Sequence, residues 1–224
     1  MGFKMTVRTS LIAAGLVASS LAHANLTIPS NGLVADSVQA FSDRANKAFR
    51  LQGVTVLPLG NATAVAGATL PTFAFPITSI TIDGSLKVVS GDAKGSALKL
   101  VRTLDDGSEA FVVIANFTLD YKAKQVLADT TIPGVPTFKQ AAIYNFNVAT
   151  PLALKYKFPL TITGHEVLDT LMLTEDAKDK MMEGLVLEDY IRTGVLDTTD
   201  FGTLTQDILV KTRKAVSTTP YTVK

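Results

Sequence analysis

The sequence predicts a mainly β protein, an antiparallel β-sandwich or partly open barrel with one N-terminal amphipathic helix and one short C-terminal helix. Three observations predict it. From residue 54 onward the apolar residues recur with period two in eight short runs rich in β-branched and aromatic residues. Two Asp-Gly pairs, Asp83-Gly84 and Asp106-Gly107, sit between such runs and supply the positive backbone angles of tight hairpin turns. Only two segments carry helical spacing instead, so alternating βαβ units are not expected.

The chain opens with Lys4 and Arg8, an apolar stretch from Leu11 to about Leu21, and Ala22-His23-Ala24. This is the layout of a secretory signal peptide over 1–24, too short for a membrane span and ending in a small-residue cleavage site. Residues 25–224 then form one expected β-rich domain. With Lys4 and Arg8 gone from the 21 basic residues, against 20 acidic ones, the net charge is about −1, so no basic face for nucleic acid is expected. There is no cysteine, which removes disulfides, thiolate metal sites and thiol nucleophiles.

Taken in order, residues 33–50 place Val34, Val38, Phe41, Ala45 and Phe49 at spacings of three and four, with Lys47 and Arg50 near the end and Gly53 beyond. The pattern predicts one helix over 33–50 covering the sheet. The predicted strands follow at 54–59, 73–83, 85–90, 97–103, 110–121, 124–132, 139–149 and 153–163, with a Pro-Gly-Val-Pro loop at 133–136. A short helix over 175–187 is opened by Thr174, with Glu175 and Asp176 in its first turn, and Met181 and Met182 read as core fillers. The last run, 202–216, reads as strand or helix, with a closing strand the expected form.

Chemistry is sparse. "HEVLD" (165–169) is one residue short of the H-E-x-x-H zinc signature, whose two histidines need one helical turn between them. The flanking residues alternate as in a strand, interrupted by Gly164, so His165 reads as a turn or strand-edge histidine, and on a strand His165 and Asp169 would lie about 13 Å apart. No other histidine remains after the leader is removed. The strained G-x-S-x-G elbow is absent, no glycine loop matches a phosphate cradle, and the Asp-Gly pairs lack a calcium-loop pattern. N-x-[ST] triplets at Asn25, Asn61 and Asn116 match a glycosylation acceptor. No catalytic residue and no metal site are expected.

The order helix, "GVTVLPLGNAT" (53–63), "FAFPIT" (73–78), glycine-bearing hairpin, "ANFTLDY" (115–121) and "LMLTEDAKDKM" (171–181) resembles secreted bacterial HtaA-like β domains. The resemblance implies a β fold at a bacterial cell surface, and some members of that family bind haem there through tyrosine and histidine. The stretch "VVSGDAKGSALKL" (88–100) departs from the pattern by carrying no histidine, so no ligand residue is carried over. By chemistry alone, a tyrosine supported by a histidine could hold ferric haem, and Tyr156 or Tyr190 with His165 are the candidates.

The expectation that results is a non-enzymatic secreted structural protein of the cell surface or extracellular matrix. It would self-associate into oligomers or filaments by strand pairing through the uncharged run "AFVVIANF" (110–117) or the extended "NLTIPSNGLV" (25–34). The alternative is a periplasmic or extracellular binding protein for haem or another small hydrophobic ligand in a β-lined cavity. Neither nucleic acid nor a membrane span enters either reading.

Overall fold

A computed structural model describes residues 25–32, 34–84, 87–157, 161–210 and 214–223, so the expected leader lies outside the described residues. Its twelve strands are β1 (Leu26–Pro29), β2 (Val34–Ala40), β3 (Val54–Gly60), β4 (Thr63–Ala64), β5 (Thr72–Pro76), β6 (Ser79–Ile82), β7 (Val88–Thr103), β8 (Glu109–Asp120), β9 (Gln125–Thr131), β10 (Phe138–Lys157), β11 (Thr161–Leu173) and β12 (Thr203–Val210). Helix α1 (Asp43–Leu51) follows β2. Helices α2 (Glu175–Gly184) and α3 (Asp189–Ile191, continued by a π-turn over Arg192–Leu196) lie between β11 and β12.

All pairings are antiparallel and belong to one sheet, ordered β1-β6-β7-β8-β9-β10-β11-β12-β2-β5-β4, with β3 added to the far half of β7. The sheet curls into an open half-barrel, the partly open form of the predicted architecture. Its concave side is the core. Phe75 of β5 meets Phe117 of β8 across that interior, 4.9 Å between ring centroids. A large cluster that includes Leu100, Val112, Ile143, Leu168 and Phe201 fills one end, and a smaller one of Ala35, Ile77, Ile80 and Ile208 fills the other. Among the described residues no helix is long and apolar enough to cross a membrane.

One expected element is corrected. Residues 34–40, predicted as the first half of a helix, form β2, with Ala35, Ser37 and Gln39 turned inward at alternate positions. Its main chain is paired on both sides, to β12 and to β5, and that double ladder outweighs a solitary amphipathic helix. The helix begins only at Asp43, where the Ser42 hydroxyl accepts the Ala45 N–H at 3.0 Å. Phe41, Ala45 and Phe49 keep the predicted spacing and are buried, with Phe41 edge-on to Phe49 at 5.3 Å.

Other boundaries move for a shared reason. The runs at 85–90 and 97–103 join into the single strand β7, and those at 139–149 and 153–163 contribute to β10 and β11. Register shifts between Ala93 and Ala97 and between Thr150 and Ala153 absorb the glycine and proline that read as breaks. The run 110–117 lies in β8, paired to β7 on one edge and β9 on the other, so it is a buried strand and presents no edge. Thr174 caps α2 as expected, accepting the Ala177 N–H at 3.2 Å, and Met181 is buried against the sheet. At the Asp106-Gly107 hairpin, the Asp106 carboxylate accepts both the hydroxyl and the N–H of Ser108, which hold its carboxyl below the usual range.

Candidate functional site

Directly paired residues of antiparallel strands point to the same face, so register assigns side chains to the inside or outside of the half-barrel. Glu166 of β11 pairs Gln206 of β12, which pairs Ser37 of β2, and all three are buried on the concave face. The row beside it is Leu168, Leu204 and Gln39. Three adjacent strands thus carry a polar strip through an otherwise apolar interior. Gln39 donates through Nε2 to the hydroxyl of buried Tyr144 at 3.5 Å, and burial pushes that phenol up to about 12.

Ser37, Gln39, Tyr144 and Gln206 line an interior cavity of about 30 Å³, with Phe75 and Phe117 on its far wall. That is space for roughly two waters. Gln206 is 2 % exposed, and its Nε2 has no hydrogen-bond partner among the described residues. A buried amide donor left unpaired costs about 1–3 kcal/mol.

The same strip reaches a mouth. Tyr121, at the end of β8, donates its hydroxyl to Glu166 Oε2 at 2.5 Å, and its ring stands edge-on to Phe146 at 6.2 Å. Burial raises the Glu166 carboxyl above the usual range, while the bond from Tyr121 pulls it back in part. Tyr121 is raised strongly, first by burial and then by the Glu166 charge. Around the pair opens a pocket of about 260 Å³, walled by Val88, Val148, Pro151 and Leu152, with Lys87 at its rim. Glu166 therefore borders the mouth while its cross-strand neighbour Gln206 borders the inner cavity.

The residues singled out by sequence lie elsewhere. His165 follows the alternation to the convex face, where its Nδ1 is 2.8 Å from Asp207 Oδ1 in a row running Ala153, His165, Asp207, Asp36. A broad open groove of about 650 Å³ lies over this row. Tyr190 is 67 % exposed on α3, beyond the far end of β11. Tyr156 sits on β10 opposite Ile162, and its side chain lies outside the described part of the structure. No described contact joins His165 to a tyrosine. The pentapeptide "HEVLD" is on a strand, as its neighbours predicted. Among the described residues no group of three or more His, Cys, Asp and Glu side chains is placed to hold a metal ion.

Sequence reasoning missed Glu166 and Tyr121. The signal was present, because a strand that puts His165 outside must put its neighbour Glu166 inside.

No family model matches the chain, and no curated protein matches it. Among solved structures, it is similar to the C-terminal domain of HtaA from Corynebacterium glutamicum, with a TM-score of 0.48 and 13% identity over 80% of this chain and 99% of that one. The tyrosine and histidine candidates are not brought together among the described residues: His165 faces the convex side of the sheet, Tyr190 is exposed on α3, and the Tyr121 hydroxyl is committed to Glu166, while the interior cavity of about 30 Å³ has room for about two waters.

Proposed function

We propose that this chain is a non-catalytic secreted protein that binds a small, largely apolar molecule at the mouth of its half-barrel. The observation that carries the reading is the unpaired Gln206 amide buried beside Glu166. Glu166 at the mouth and Gln206 at the inner cavity offer an acceptor and a donor along one polar strip, which suits a small hydroxyl or carboxamide head reaching inward from the mouth. The apolar walls at Val88, Val148, Pro151 and Leu152 suit the remainder of the ligand. The polar strip is a feature that a purely structural core would avoid, because each buried amide and carboxyl must be matched.

Native mass spectrometry of the protein recovered from its own host tests this. A retained discrete mass that disappears in Gln206→Met and Glu166→Ala is expected. A bare chain, or a mass retained by both variants, refutes it.

A second reading, a structural protein of the cell surface or extracellular matrix that self-associates by strand pairing, is favoured by β1. Among the described residues this edge strand is paired only to β6, and its Leu26 is 60 % exposed. A ladder of multimers without added mass in the same spectrum would support it over ligand binding.

A further inference from the structure

Strands β8 and β10 lie on either side of β9, and both bulge at the same place. The register shifts fall between Ala115 and Thr118 in β8 and between Phe138 and Ala141 in β10, and both face Asp129 of β9. Asn116 in the first bulge and Gln140 in the second take left-handed φ of 57° and 47°, a strained backbone for residues with a side chain. Bulges re-aim side chains, and these turn three of them onto one carboxylate. Asp129 Oδ2 accepts from Asn116 Nδ2 and from Lys139 Nζ, each at 2.9 Å, while Oδ1 accepts from the Gln140 N–H at 3.0 Å and its Nε2 at 3.3 Å. Asn116 and Asp129 are buried, and Lys139 reaches them from the solvent side. Burial alone would raise the Asp129 carboxyl, but the bonds from Lys139, Asn116 and Gln140 hold it below the usual range, so it is present as a carboxylate.

The Asn116 amide is held on its other side as well. Its Oδ1 accepts the Gly95 N–H at 3.1 Å and the Tyr221 N–H at 2.7 Å, and its Nδ2 also donates to Tyr221 O at 3.0 Å. Two backbone donors on one carbonyl oxygen polarise it and stabilise negative charge that develops there. The second donor comes from residues 214–223, which have no regular secondary structure and dock over this point of the sheet. Asn61 Nδ2 holds them at Ser217 O, 2.9 Å away, and they pack so closely that a Cβ on Gly95 would meet Thr219 O at 2.9 Å.

We infer that Lys139 and Asn116 become joined by an isopeptide bond that the chain makes on itself, with Asp129 relaying the protons. A nucleophile, a base that touches it, an amide carbon and donors on its oxygen are gathered around one carboxylate. The lysine nitrogen passes a proton to Asp129 Oδ2, and its freed lone pair attacks Cγ of Asn116. The carbonyl electrons move onto Oδ1, between the Gly95 and Tyr221 N–H groups. As the C=O bond re-forms, the Cγ–Nδ2 bond breaks. Asp129 gives its proton to the departing nitrogen, then takes a second from the lysine nitrogen and delivers that one too, so ammonium leaves and Asp129 ends as it began. Nothing is oxidised or reduced, and no co-reactant enters. Both reacting groups are anchored to Asp129, so the attack is intramolecular and needs to happen once per chain. The bond ties β8 to β10 across β9, a covalent staple in a chain without cysteine. It modifies this chain, turns over no substrate, and is independent of the ligand at the mouth of the half-barrel.

Intact-mass spectrometry of the full chain, purified in its folded state, tests it. The chain is expected to be lighter than its sequence by one molecule of ammonia. Denaturation and trypsin should then release a branched peptide joining residues 103–122 to 125–155, because cleavage after an amidated Lys139 is lost. Lys139→Arg keeps a cation beside Asp129 but offers no amine, and it should retain its full sequence mass. Asp129→Asn keeps the shape but takes no proton, and it should slow ammonia loss about a hundredfold or more. A parent chain that stays at its full sequence mass would overturn the inference. So would ammonia loss that persists in Lys139→Arg, the mark of an asparagine closing on its own backbone, or loss of water in its place, which would make Asp129 the acyl donor.

Discussion

Replacing Gln206 by methionine separates stability from binding. The side chain is 2 % exposed, borders a cavity of about 30 Å³, and carries an amide nitrogen with no partner among the described residues. Methionine keeps much of the same length and removes that donor. The relief of an unpaired buried amide is worth about 1–3 kcal/mol, and imperfect repacking takes back part of it, so a net gain of about 1–2 kcal/mol is expected. For a domain of this size that raises Tm by roughly 2–8 °C. Urea unfolding followed by far-ultraviolet circular dichroism measures it directly, with a higher midpoint at an unchanged m-value. The same variant should lose the retained ligand. A Gln206→Met chain less stable than the parent by about 1 kcal/mol or more would show that the amide is satisfied in the free protein, and the binding argument would lose its main support.

Glu166→Gln should stabilise the fold in a pH-dependent way. Burial raises this carboxyl in the folded state, so the native chain holds its proton longer than the unfolded one, and stability falls as pH rises from the ordinary glutamate range through the raised value. The variant's advantage should therefore be present at neutral pH and vanish in acid, and a pH-independent difference between the two urea midpoints would contradict it. Phe201→Ala should cost about 3–5 kcal/mol, because this ring is fully buried between Phe49 at 5.9 Å and Tyr144 at 5.8 Å, and calorimetry reads the loss. His165→Ala should change the unfolding free energy from urea titration by no more than about 0.5 kcal/mol and leave ligand retention intact, since its pair with Asp207 is largely solvated.

Much of the fold was legible because a half-buried strand writes itself as alternation. The runs around Phe73 and Phe75, Val112 and Ile114, and Leu168 to Leu173 needed only that rule, and Thr174 announced α2 by its capping chemistry. What failed were places where local pattern and distant partners disagree. Val34 and Val38 sit at helical spacing, yet the ladders that β12 and β5 supply decide the matter. Gly95 and Pro151 read as stops because bulges leave no mark distinct from a turn. The candidate site suffered from a motif: attention to His165 as a metal ligand hid Glu166 next to it. The docking of residues 214–223 on the sheet was invisible for another reason, since "STTPYTVK" is polar and Asn116, whose amide holds Tyr221, lies more than a hundred residues away.

The pairing of β2 with β12 sets the timing of folding. β2 comes early among the described residues, and one of its two neighbours is β12, the last of the described strands. Closing so long a loop is slow, and no contact within that ladder rewards it until both strands meet. A nascent chain that has not yet supplied Thr203–Val210 keeps the edges of both β2 and β11 open, with the polar strip of Ser37, Gln39 and Glu166 uncovered. Until β12 arrives, the chain is therefore a substrate for whatever holds unfolded polypeptides, and cleavage just before residue 203 would return it to that state.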